Sequence, residues 1–206
     1  MKKFMLALMT VAMMILVASP LFAEGMTFGV KGGLNLANVT GDDAEDASMK
    51  IGAVGGVFMC YDITEIFALQ PELLFTMKGA KSDEEGSDES WKTNYIEIPV
   101  LFRVNLPTEG KIKPMLYAGP ALGILLSAEL EDVDMKDYMK SYDIGVLAGA
   151  GIGYQMEKGQ LFCEVRYEVG MTTVWDFSEE ELDEDEENPD MKNSVISFMV
   201  GYGFAF

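Results

Sequence analysis

Histidine is absent from all 206 residues. That removes the base from Ser–His and Asp–His machinery and the imidazoles from zinc sites. Cysteine occurs only at Cys60 and Cys163, a pair whose default reading in an oxidising compartment is a single disulfide. Basic residues are few: 15 Lys and Arg stand against 34 Asp and Glu, for a net charge of −19. So acidic a chain repels nucleic acid and has no basic patch for anionic lipid. Beyond residue 23 no apolar run approaches the ~18 residues of a membrane helix. Yet 49% of the residues are hydrophobic, too many for a chain kept unfolded by its charge.

What is present begins with a leader. Lys2 and Lys3 precede an apolar run over 4–18, Ser19-Pro20 breaks it, and Leu21-Phe22-Ala23 offers a cleavage site. Residues 1–23 therefore read as a cleaved secretory signal peptide. No cysteine follows to carry a lipid. Residues 24–206 remain as one domain, and it divides into eight segments of period two, at 27–38, 50–61, 67–78, 93–105, 112–128, 141–155, 160–173 and 193–206. Short and long connections alternate between them. An exported, apolar chain without membrane helices can cross a bilayer only as a closed barrel, since hydrocarbon leaves no water for unpaired backbone. The expected fold is all-β: an eight-stranded antiparallel up-and-down transmembrane barrel in a bacterial outer membrane. Its short turns and both termini would lie in the periplasm, with four long acidic loops outside.

Parity separates two faces. Leu69, Leu73, Phe75 and Met77 alternate with Gln70, Glu72, Thr76 and Lys78; Ile96, Ile98, Val100 and Phe102 alternate with Glu97 and Arg103. The charged face also collects glycines, which suit a crowded lumen. The apolar face sets Phe28, Tyr61, Tyr142, Tyr154 and Phe206 near strand ends, as an interfacial girdle does. The inward charges balance, Lys31, Lys78, Arg103, Lys113 and Arg166 against Glu72, Glu97, Asp143, Glu164 and Glu168. These ten residues are the expected lumen ion network, because buried charges must be paired. In this phase Cys60 faces in and Cys163 faces out, so no bridge joins them. Pro71, Pro99 and Pro120 fall inside strands, where bulges are expected to absorb the lost hydrogen bonds.

The last segment places Phe198, Val200, Tyr202, Phe204 and Phe206 at every second position. That pattern reads as the edge signal taken up by barrel insertion machinery. The stretches Phe28-Gly29-Val30-Lys31-Gly32-Gly33-Leu34-Asn35-Leu36, Leu69-Gln70-Pro71-Glu72-Leu73-Leu74, Tyr95-Ile96-Glu97-Ile98-Pro99-Val100-Leu101, the run 113–123 and Glu164-Val165-Arg166-Tyr167 together resemble the PorT-like outer-membrane β-barrel domain family. The resemblance implies an eight-stranded barrel and, for the family's namesake, an accessory role in protein secretion. It implies no catalytic residue.

Most of the acid lies in the long connections, culminating in Glu179-Glu180-Glu181 and Asp183-Glu184-Asp185-Glu186-Glu187. Weak Ca²⁺ or Mg²⁺ association or a cationic or protein partner is compatible with these loops, although no EF-hand spacing is present. No cofactor is implied. Trp91 and Trp175 sit at loop–strand junctions as expected interfacial anchors. The expected function is non-enzymatic, structural or surface-interacting, with outer-membrane lipid as the solvent. A narrow pore, a histidine-free enzyme and a soluble binder with inverted faces are the alternatives.

Overall fold

The structure, a computed structural model, describes residues 25–41, 44, 47–82, 90–130, 133–177 and 189–205. The leader, Phe206 and most of the loop acids lie outside the described residues. In chain order the strands are β1 (Met26–Thr40), β2 (Ala47–Asp62), β3 (Phe67–Lys78), β4 (Ala80–Ser82), β5 (Trp91–Asn105), β6 (Ile112–Leu130), β7 (Val133–Asp134), β8 (Tyr142–Met156), β9 (Gly159–Gly170) and β10 (Lys192–Ala205). Eight are long; β4 and β7 are short additions to β2 and β6. Each long strand pairs antiparallel with its neighbours in sequence, and β1 pairs with both β2 and β10. The sheet is a closed eight-stranded barrel. Closure leaves no edge strand, so the ladder satisfies its own backbone groups.

Alternation fixes which side faces the lumen. Along β3 the buried residues are Ala68, Gln70, Glu72, Leu74, Thr76 and Lys78, and along β9 they include Phe162, Glu164, Arg166 and Glu168. The outward set is large and apolar: Val30, Leu34, Phe75, Phe102, Leu116, Val146, Ile152, Val165, Phe198 and Val200 are all exposed. An apolar belt around the entire circumference has no stable partner in water. Its aromatics gather toward the two rims, with Tyr61, Phe67, Phe102, Tyr154 and Phe204 near the short-turn end and Phe75, Tyr142 and Tyr167 toward the long-loop end. Cys60 is buried, Cys163 is exposed, and both are free thiols.

Two sequence expectations need correction. The strand prolines introduce no bulges. Register is the same on both sides of Pro71 and Pro99 (Pro71↔Val100 continues to Leu74↔Glu97, and Pro99↔Ala121 to Phe102↔Ala118), and Pro120 sits opposite Val146 in an unbroken ladder. Neighbouring strands instead tolerate short unpaired stretches, with one proline each on β3 and β5 and two, Pro114 and Pro120, on β6. The one irregularity in the β5–β6 register lies between Asn94 and Tyr95, where Ser127 and then Leu125 are the partners, leaving Leu126 as an extra residue. The strands also run farther than expected at the long-loop end: β2 begins at Ala47, β5 at Trp91, and β6 ends at Leu130.

Inward glycines create the room that large inner side chains occupy. The Tyr117 ring lies directly over Gly149, its cross-strand partner, and the Phe162 ring lies over Gly201. A side chain at either glycine would occupy the space of the ring. Gly149→Val should therefore lower the refolded fraction in detergent severalfold, scored by heat-modifiable gel mobility. The outward neighbour Ala148→Val should leave it unchanged, because Ala148 is exposed.

Candidate functional site

The lumen is built in layers along the strands. At its centre Lys31 donates to Glu72 at 2.6 Å and to Glu164 at 2.7 Å. Arg166 reaches Glu72 through Nη1 at 3.1 Å and Glu97 through Nη2 at 3.5 Å. Lys78 meets Glu168 at 2.6 Å, Glu97 at 3.0 Å and Asp143 at 3.8 Å. The result is a continuous chain, Glu164–Lys31–Glu72–Arg166–Glu97–Lys78–Glu168, with Asp143 at its far end. All of these side chains are at most 5% exposed. Neutral groups complete it: Asn193 donates to Asp143 at 2.8 Å and Thr172 to Asp143 at 3.0 Å, while Gln70 donates to Glu72 at 2.7 Å. In so dry a setting an isolated ion is destabilising by several kcal/mol, roughly, and a well-paired one is tolerated.

The structure brings together eight of the ten expected network residues, and the expected five-to-five balance does not hold. Three cations face five carboxylates. Arg103 and Lys113 sit lower, toward the short-turn end, because parity sets the face of a side chain but not its height. Lys113 is partly exposed and donates to the Thr108 carbonyl at 2.9 Å. Arg103 donates through Nε to Asn105 at 2.7 Å, through Nη1 to Gln70 at 3.0 Å and through Nη2 to Gln160 at 3.4 Å. Both line a cavity of about 260 Å³ at the short-turn end. Phe58 and Phe162, packed edge-to-face at 5.4 Å, line it too, and the Phe58 ring also lies 5.8 Å from the Lys31 ammonium.

The opposite end is capped. Tyr95, Leu125, Ala128, Met139 and Val174 form a buried apolar cluster, with Trp91, Trp175 and Met191 packed against it. The two outermost connections are stitched to one another: Met139 bridges Trp175, Lys140 N–H donates to the Val174 carbonyl at 3.0 Å, and Asp176 N–H donates to the Tyr138 carbonyl at 3.0 Å. Trp91 and Trp175 are thus not interfacial anchors. Their rings pack on one another at 5.0 Å, and Trp175 stacks on Phe177 at 5.2 Å. They belong to the cap because β5 extends to Trp91 and the Tyr138-Met139 and Val174-Trp175 segments pair across the mouth.

On β10, Phe198, Val200 and Phe204 are exposed on the outer face and Tyr202 is half-buried there; Phe206 lies outside the described residues. Sequence reasoning passed over the neutral members of the lumen and one further cation, Lys50. Asn35 donates to Thr76 at 2.7 Å and accepts from Ser197 at 2.8 Å. Gln70 links Arg103 to Glu72, and the buried Lys50 donates to the Lys78 carbonyl at 3.4 Å. The signal for all of them was their parity with the charged residues. Among the described residues no group of three or more acids or cysteines is close enough to hold a metal ion.

Two solved structures share this architecture. Neisserial surface protein A is 18% identical, with 89% of this chain and 100% of that one covered at a TM-score of 0.56. The outer membrane protein OprG from Pseudomonas aeruginosa is 13% identical, with 87% and 95% covered at a TM-score of 0.54. No curated protein matches the chain. At the level of sequence family, residues 22–176 match the outer membrane protein beta-barrel domain. The closed barrel agrees with that description, and this chain belongs to the outer membrane protein beta-barrel domain family.

Proposed function

We propose that the chain is a non-enzymatic outer-membrane barrel with a plugged lumen, acting at the cell surface through its acidic loops. The observation that carries this reading is the filled interior: ion network in the middle, apolar cap at the long-loop end. The same alternation of connections supports placing the short turns and both termini in the periplasm. Catalysis lacks a suitable base, since no histidine exists and each lumen carboxylate contacts a cation or neutral donor. The loop acids favour a basic partner or loosely held divalent cations over any anionic one. The narrower PorT-like role in secretion rests on the sequence stretches that resemble that family.

Planar-bilayer recordings should give no discrete conductance steps for the wild-type protein; steps of porin size would overturn the plugged lumen. Protease treatment of intact cells should cut only within the long connections, above all 178–188. A cut at Glu157-Lys158 would reverse the orientation. The surplus of carboxylates also makes them unequal. Glu72 bridges Lys31 and Arg166, whereas Glu168 serves only Lys78, which Glu97 also holds. Glu72→Gln should thus cost ~1–3 kcal/mol more than Glu168→Gln in urea unfolding from detergent micelles.

A further inference from the structure

We infer that a small monovalent anion such as chloride binds beneath the apolar cap, between Lys50 on β2 and Trp91 on β5. Lys50 is a buried cation, only 8% exposed. Among the described residues its one hydrogen bond is to the Lys78 carbonyl, at 3.4 Å. No described carboxylate lies within ion-pair distance of it, whereas each cation of the central network holds at least two. Nor is the field around it balanced. The charges acting on it most strongly are Lys92 and then Lys81, and the opposing Glu129 is weaker than either. A buried ammonium among like charges is destabilising until an anion joins it.

A second set of donors without an acceptor faces it from β5. Lys78, whose carbonyl Lys50 reaches, pairs with Thr93 on that strand, and Trp91 follows two residues on, packed under the cap. The buried Trp91 Nε1 and Thr93 Oγ1 have no hydrogen-bond partner. Thr93 also lies beside the Tyr95 hydroxyl, so Lys50 and Trp91 carry the site and Thr93 lines it. Between β2 and β5 the chain is Gly79-Ala80, which puts no large side chain in the gap. An ammonium and an indole N–H can only donate, so what they share must accept. Water would accept as well, but it leaves the charge unbalanced. The apolar cluster above excludes a bulky body, and a dianion costs more to strip of water than a single charge. The acidic loops oppose every anion, which keeps the affinity low.

Trp91 and Trp175 are the chain's only tryptophans, so the site carries its own reporter. Iodide, a heavy-atom quencher with the charge of chloride, is titrated into the folded protein in detergent micelles. Quenching should contain a saturable phase with a midpoint on the order of 10 mM, besides the linear collisional one. Chloride should move that midpoint upward, whereas sodium sulfate at equal ionic strength should not. The saturable phase should vanish in Lys50→Met and in Trp91→Phe and persist in Trp175→Phe, with gel mobility confirming each fold. Strictly linear quenching of the wild-type protein would overturn the site, and so would a saturable phase indifferent to chloride. A carboxylate of 83–89 held on Lys50, or water alone in the gap, gives the first of those results. A saturable phase that survives in folded Lys50→Met would equally sink the assignment.

Discussion

Glu72 stands between Lys31 and Arg166, and the barrel is organised around that pairing. An eight-stranded barrel has an interior only as wide as its interdigitating side chains, so an ion placed there is removed from water. Once Lys31 on β1, Glu72 on β3 and Arg166 on β9 face inward, each must find the others across the lumen, which ties together strands that do not pair with one another. Glu97 and Lys78 extend the chain of contacts toward the long-loop end and bring β5, β8 and β9 into it. Hydrogen bonding along the wall specifies neighbours only. The ionic core specifies the cross-section.

That division explains what could be read from the sequence. Period-two alternation gave the strand count, the inward and outward faces and the separation of Cys60 from Cys163, because a pleated strand turns every second side chain the same way. The charged face collected its residues without error of side. It did not reveal their heights. Arg103 on β5 and Glu97 on the same strand both face inward, six residues apart, so they lie in different layers. Only the register around the barrel shows that Glu97 meets Lys78 while Arg103 meets Gln70 and Gln160. The expected charge balance therefore failed in space.

The cap was hidden for another reason. Tyr138-Met139 and Val174-Trp175 are short apolar pairs embedded in acidic connections, and neither has the length to announce a strand. They gain meaning only from each other, through the bridge that lays them across the mouth. Trp91 and Trp175 look like membrane anchors in sequence because both occur where strand meets loop. In the fold their rings find a dry partner in one another and in the apolar cluster below, and the outward girdle is left to Tyr142 and Tyr167. The prolines follow similar logic: spread over three adjacent strands, they leave the register unbroken because the aligned inner side chains hold it.

The two ends of the lumen consequently differ in kind. At the long-loop end, apolar side chains from two connections close over Tyr95, and Lys78 beneath lies 5.3 Å from its ring. At the short-turn end the hairpins contribute no such cover, and the barrel opens into the cavity beside Arg103. Turns of two, four and six residues lack the length to fold inward, whereas the connections from β7 to β8 and from β9 to β10 are long enough to return across the mouth. Loop length, set by the sequence, thus decides which end is sealed. Between the ends Gln70 touches both systems, accepting from Arg103 and donating to Glu72.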